Sequence, residues 1–421
     1  MTTMKLPRMK YAYVYVLVVL VSVVNQNSRT KEFMPTKDFL KEAAANTLTS
    51  AEKKNPTLLD ASFGSSGRWV LDYDYANRSN YPNHGSYSTW HLAAQNFTPT
   101  PAQPYRLAAS YRWEDDNFQN KLREVSLIEF CTACHKLGIT RILSLGDSLT
   151  AEFVQSLVSL LGFPPQGNAA KRFNARLRPI NIPCRPFNAK SFQLEVMWMR
   201  RSSVQEILSL SKTSALEEKF VAENRNRTAI IANFGAWFKS LDDYKQAFDS
   251  FLTWVDKRNG SNNSTENKLE VFFRETIPGH WPCFPEGERT DETTYNWIKP
   301  VDVTPFKNYT SYQKSLFYNQ TSEYNWEMFE DFNKHARTCL RNRSETLSLS
   351  TMGSGSGQKQ MIKMSPTAPV TPIHWLNVFN STVLRRDGHI GYKDCLHYYL
   401  PGPTDWWAHF FHSFILDMSG V

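Results

Sequence analysis

A chain of 421 residues with 41% hydrophobic content can bury a core of ordinary size, which excludes a disordered or fibrous protein. Its net charge of +8 is scattered over isolated pairs such as Arg200-Arg201 and Arg385-Arg386. With no basic run and no periodic basic face, nucleic acid is not an expected partner. Aromatic residues reach 14%, enough to fill a core and also to supply faces that stack on sugar rings.

The amino terminus reads as an address. Lys5, Arg8 and Lys10 precede an apolar run from Tyr11 to Val24, the pattern of a positive flank and a hydrophobic secretory segment. No small-x-small cleavage site follows. The expectation for residues 1–30 is therefore an uncleaved signal anchor, giving a single-pass type II protein with its bulk in the Golgi or secretory lumen. The alternative is a cleaved signal peptide and a secreted chain. Asn-x-Ser/Thr acceptors at Asn77, Asn96, Asn226, Asn259, Asn262, Asn263, Asn308, Asn319, Asn342 and Asn380 agree with a luminal surface. Six cysteines form an even set, as an oxidising compartment allows, and only Cys131-x-x-Cys134 is closely spaced. That spacing favours disulfides over zinc, so no metal is expected.

Residues 31–57 are polar and without apolar period, as in a stem or linker. Residues 58–135 are aromatic and turn-rich, with pieces such as Gly67-Arg-Trp-Val-Leu-Asp72, and predict a loop-rich subdomain. From 136 to 421 the chain alternates as a βα repeat. Strands are predicted at Ile142 to Leu145, Phe192 to Met199, Thr228 to Asn233, Leu269 to Arg274 and Ile373 to Phe379. Helices are predicted after Ser148, over 203–222, from Asp242 to Lys257, over 322–340 and from Thr404 to Met418. Gly353 to Gly357 reads as a Ser/Gly linker, and a loop after the last strand carries Asp394 and His397.

The first strand runs into Gly146-Asp-Ser148 and then a helix. A serine at that corner sits at the carboxyl edge of a parallel sheet, beside the positive end of a helix. Ser148 is the candidate nucleophile; the competing reading is plain helix capping by Asp147 and Ser148. His397 is the candidate base and Asp394 the group that fixes its tautomer, an arrangement that carries acyl transfer. The backbone N–H of Leu149 and the amide of Asn233, beside Gly235, are candidate oxyanion donors. Arg274 and His280 complete the candidate oxyanion and substrate-binding set, against a reading as core or loop polar groups.

These residues resemble a known family. Leu145-Gly-Asp-Ser-Leu149 with Asp394-Cys-Leu-His397 resembles the SGNH/GDSL hydrolases. Arg386-Asp-Gly-His389 and Tyr398-Tyr-Leu-Pro-Gly402 are similar to its PC-esterase branch, which includes the trichome-birefringence-like polysaccharide O-acetyltransferases. The resemblance implies a three-layer α/β/α fold and O-acetyl transfer to a polysaccharide or glycan through an acyl-serine, with an acetyl donor and no cofactor. The alternatives are a carbohydrate acetylesterase and a catalytically silent glycan binder. One block departs: Ala232-Asn-Phe-Gly-Ala-Trp237 lacks the histidine of the plant version, which weakens Asn233 as a donor. The plant cysteine pairing does not carry over wholesale; Cys283 with Cys395 is the one expected pair, tethering the catalytic loop to the loop after Arg274.

Overall fold

A computed structural model describes residues 60–61, 63–64, 66–75, 107–116, 122–163, 179–212, 227–260, 269–277, 279–280, 324–352, 370–391, 394–398 and 400–421, all within the compact unit Asn55–Val421. The stem, the Ser/Gly linker and the apolar run Tyr11 to Val24 lie outside these residues. Among the described residues no helix is long and apolar enough to cross a membrane.

The strands in chain order are β1 (Asp60–Ala61), β2 (Gly67–Leu71), β3 (Tyr111–Asp115), β4 (Ile139–Gly146), β5 (Ile180–Cys184), β6 (Phe192–Arg200), β7 (Arg227–Asn233), β8 (Leu269–Arg274), β9 (Ile373–Leu376), β10 (His389–Gly391) and β11 (Asp394–Tyr398). The principal helices are α1 (Leu127–Leu137), α2 (Ser148–Leu160), α3 (Leu241–Gly260), α4 (Phe329–Met352) and α5 (Pro403–Ser419). Seven strands form one sheet in the order β1-β9-β8-β7-β4-β6-β5, parallel except for β5. The fold is α/β, as the alternating sequence implies.

Why the chain builds layers is visible in β8. Neighbouring strand residues face opposite sides. Phe272 meets Phe411 and Phe414 of α5, while Phe273 meets Phe248 and Phe251 of α3. Helices α1, α2 and α5 therefore cover one face and α3 with α4 the other. Strands buried on both faces read as continuous apolar runs, as Ile142, Leu143 and Leu145 do in β4. Each such aromatic or aliphatic side chain contributes about 2–3 kcal/mol of burial. Phe234, just past β7, is ringed by Phe238, Tyr244, Phe248, Phe251 and Phe273.

Several expectations are corrected. The segment bearing Asp394 and His397 is not a loop but β11, paired antiparallel with β10. Its five residues are too few for a strand period to show in sequence. The expected helix over 203–222 is, where described, one short turn, Val204–Leu208, continued by the 3-10 segment Ser209–Lys212. The helix expected over 322–340 starts later and runs longer, as α4. Within the aromatic amino-terminal stretch β2 and β3 pair as an antiparallel ribbon, and β1 joins the main sheet beside β9. Edge strand β5 escaped notice because Pro183 breaks its pattern, and proline is tolerated at sheet edges. A disulfide between Cys131 and Cys184 ties α1 to that edge. Cys395 is also disulfide-bonded, with a partner outside the described residues, as Cys283 is. The even set is not fully paired, for Cys134 and Cys339 are free. Asn259 turns inward: its Nδ2 donates to Thr371 Oγ1 at 2.9 Å and its Oδ1 accepts the Leu269 N–H at 2.9 Å. It is spent on the fold, not displayed as a glycan acceptor.

Candidate active site

Strand β4 delivers the chain to the carboxyl edge of the sheet, where Gly146 permits the turn. A Cβ on Gly146 would come within 2.1 Å of Asn233 O and 2.2 Å of Thr150 Oγ1, so only glycine lets β4, β7 and α2 close together here. Asp147 then caps α2. Its Oδ1 accepts the Leu149 N–H at 3.0 Å and its carbonyl takes those of Thr150 and Ala151. Ser148 is the first residue of the helix, and its N–H is left without an acceptor among the described residues. The capping role falls to Asp147, and Ser148 follows it as the first helical residue.

His397 lies on β11 and is nearly buried, with 8% of its surface exposed. Its Nε2 stands 2.6 Å from Ser148 Oγ, although 249 positions separate the two. With the hydroxyl donating, Nε2 accepts and the ring proton sits on Nδ1. Asp394 begins β11 three residues earlier; its side chain lies outside the described residues. A second contact fastens the same two elements. Glu152, one turn along α2 and 1% exposed, accepts the Tyr398 N–H at 3.2 and 3.3 Å with its two carboxylate oxygens.

Behind the serine lies a buried charge cluster. Arg274 is fully buried, with its guanidinium 4.7 Å from the ring centroid of Trp407. Burial pulls its pKa down to about 10, opposed by the carboxylates of Asp147, Glu152 and Glu275. It remains cationic at neutral pH. Burial likewise raises the Asp147 carboxyl, against the pull of Arg274, the Leu149 N–H and His397.

Four members of the expected oxyanion and substrate-binding set are corrected. Asn233 is committed inward: its Nδ2 donates to Arg274 O at 2.9 Å and Thr276 Oγ1 at 3.2 Å, and its Oδ1 accepts Arg274 Nη2 at 2.7 Å. No amide proton is left for an oxyanion. The Leu149 N–H is taken by the Asp147 cap. Arg274 has no exposed surface with which to meet substrate. His280, also fully buried, places Nδ1 2.7 Å from His389 Nε2 and Nε2 2.7 Å from Val383 O, so both ring nitrogens are occupied. Gly235, just beyond β7, packs against Thr276 so closely that a Cβ would lie 2.7 Å from its Oγ1.

Sequence reading missed Glu152 and Glu275. Glu275 accepts the N–H groups of Val378 and Phe379 at 2.9 and 2.7 Å, turning the chain after β9. A carboxylate inside an otherwise apolar helix pattern was the available signal for Glu152.

A parallel sheet with helices on both faces, a Gly-Asp-Ser turn at its carboxyl edge and a histidine on that serine define an SGNH-like acyl-esterase fold. The sequence pattern of the PC-Esterase family, described as the GDSL/SGNH-like acyl-esterase family found in Pmr5 and Cas1p, matches residues 135–414. The match spans well over half of the chain, and the protein belongs to this family. No curated protein matches the sequence.

Proposed function

We propose that the protein is a serine-dependent O-acetyltransferase that acetylates a polysaccharide or glycan in the secretory lumen. The observation that carries the reading is the 2.6 Å contact between Ser148 Oγ and His397 Nε2 at the start of α2. Ser148 Oγ attacks the carbonyl of the acetyl donor while His397 Nε2 takes its proton; the donor's leaving group departs with that proton. Acetyl-Ser148 remains. A sugar hydroxyl then attacks, gives its proton to His397, and leaves as the O-acetyl ester while Ser148 recovers its hydrogen. Asp394 holds the imidazole and balances its charge in the transition state. The free Ser148 N–H, at the positive end of α2, is the first oxyanion donor and the N–H of Gly235 the second. Each is worth about 3 kcal/mol.

The acceptor class is supported by Trp237, which lies two residues past Gly235, is 38% exposed and meets Tyr324 edge-on at 5.0 Å. Such an aromatic pair offers a face for a sugar ring. Luminal placement and a membrane anchor are supported by the charged, apolar amino terminus, the density of Asn-x-Ser/Thr sites and the Cys131–Cys184 disulfide.

Two assays test this. A fluorophosphonate probe labels the purified protein and fails to label Ser148→Ala; labelling that survives the substitution removes Ser148 from the mechanism. With an acetyl ester donor and a panel of glycans, acetate appears on the acceptor. Release of free acetate with every glycan unmodified makes the protein an acetylesterase instead.

A further inference from the structure

Helices α3 and α4 pack together on the face of the sheet away from α2, and they carry a cluster that acyl chemistry does not use. His335 and Cys339 are four residues apart on α4 and so project from one side of it. Asp249 reaches them from α3. A carboxylate oxygen, an imidazole nitrogen and the thiol sulfur all lie within 4.8 Å of one another.

The spacing is that of ligands. Cys339 Sγ is 3.5 Å from His335 Nε2. A tetrahedral zinc with Zn–S of about 2.3 Å and Zn–N of about 2.05 Å has an S···N edge of about 3.5 Å. These two side chains therefore stand ready without a change of rotamer. A second observation points to the same spot. Tyr244 is fully buried, its hydroxyl has no hydrogen-bond partner, and it interacts electrostatically with Cys339. Its ring stands edge-on to His335 at 6.4 Å. Buried hydroxyls normally have partners, and this orphan belongs to a ring packed against His335 of the cluster.

We propose that Asp249, His335 and Cys339 bind one zinc ion, with water as the fourth ligand, and clasp α3 to α4. The ligand set selects the metal: thiolate and imidazole suit zinc, whereas calcium and magnesium require several oxygens. Charge balances as well. On binding, the Cys339 S–H bond breaks and its proton goes to solvent, so thiolate and carboxylate offset the two charges of the metal while His335 stays neutral. Nearby cations do not compete for Asp249, because Lys245 pairs with Asp242 and Arg343 with Asp256. Half-buried His335 and Cys339 with exposed Asp249 leave an entry path and an open coordination position. Local sequence spacing gave no hint of zinc, since the ligands come from two helices far apart in the chain.

The full chain, stripped with a chelator and dialysed, is titrated with zinc and separately with cobalt. One equivalent of zinc binds, and cobalt gives a thiolate-to-metal charge-transfer band. Cys339→Ala abolishes that band, and Asp249→Asn, an isosteric change at an exposed position with no role in the core, weakens zinc at least tenfold. Absence of stoichiometric binding by the wild-type chain overturns the site. So does zinc binding that keeps its strength in both variants, because the ligands then lie elsewhere.

Discussion

Arg274 is a fully buried cation among the carboxylates behind Ser148, and replacing it with methionine isolates what that charge does. The aliphatic stem is roughly kept, so packing on Trp407 changes little, but Asn233 Oδ1 loses its 2.7 Å donor. Leaving that oxygen buried and unpaired costs about 1–3 kcal/mol. Asp147 and Glu152 lose a nearby positive charge, while Glu275 keeps Arg337 at 3.8 Å, and leaving buried charge uncompensated costs about 3–5 kcal/mol. The two costs overlap, so Arg274→Met is expected to lose about 3–5 kcal/mol in urea unfolding. Arg274→Lys keeps the charge without the fork and loses less. On the proposed mechanism activity falls too, because Asp147 caps the helix of Ser148 and Glu152 holds the strand of His397. A double cycle checks the cause. Glu152→Gln removes one of the stranded charges, so the pair of substitutions together costs less than the sum of the two singly, by more than about 0.5 kcal/mol. Strict additivity, or Arg274→Met within about 0.5 kcal/mol of wild type, refutes the compensation.

Glu152→Gln by itself keeps the shape but weakens the acceptor for Tyr398, letting His397 drift; kcat for acetyl-ester cleavage drops roughly 10–100-fold, while unfolding free energy changes by about 1–3 kcal/mol. Equal kcat in the variant removes Glu152 from the positioning of the base. Trp237→Ala is expected to raise KM for a glycan acceptor about fivefold, the worth of roughly 1 kcal/mol of stacking. Formation of the acetyl-enzyme from a small donor is expected to stay nearly as fast, and an unchanged acceptor KM removes the sugar platform. Acid should weaken the fold in a defined window. His409 accepts the Val125 N–H on Nδ1 at 2.9 Å and bonds Tyr75 Oη through Nε2 at 2.6 Å, so it is held neutral. Burial lowers His409 to about 3 and His412 to about 4. Both folded values lie below the unfolded value of about 6.5, so the unfolded chain takes up protons first. Stability is unaffected by these groups above that pH and falls as pH drops from about 6.5 toward 4, by a few kcal/mol. Unfolding free energies that stay flat from pH 7 to 5 contradict this, and His409→Gln should reduce the slope.

What the sequence made legible was whatever it states locally. The runs of β4, β7 and β8 are apolar because both faces of a parallel sheet are covered, and that pattern needs no tertiary knowledge. Ser148 was visible as a residue at a strand-to-helix corner. His397 was only weakly visible: its place three residues after Asp394, beyond the last predicted strand, made it a candidate base, but one histidine among the chain's ten says little about where it folds, and the resemblance strengthened the assignment. Asn233 misled for a physical reason. An asparagine at a strand end is equally suited to face a substrate or to satisfy the chain beside it. Here the neighbour on β8 is an arginine that must be held, and the amide goes to Arg274 and Thr276. Leu149 failed similarly, because the N–H expected to face the oxyanion is the one that a capping aspartate reaches first.

One helix face shows how the site is assembled. Ser148, Glu152 and Ser156 recur every four residues, so they form one polar line along α2, whose remaining side chains are largely apolar and buried. Each meets the carboxyl-terminal part of the chain: Ser148 the ring of His397, Glu152 the Tyr398 N–H, and Ser156 Oγ the carboxylate of Asp405. Asp405 in turn accepts the Gly402 N–H at 2.9 Å, at the start of α5. A polar line buried against chain some 250 positions distant is stable only if every member finds its partner, so the docking is in register or not at all. A shift of α2 by one residue would rotate the line by about 100° and break all three contacts together. The serine–histidine contact therefore rests on the two below it, and the helix that carries Ser148 also fixes where His397 stands.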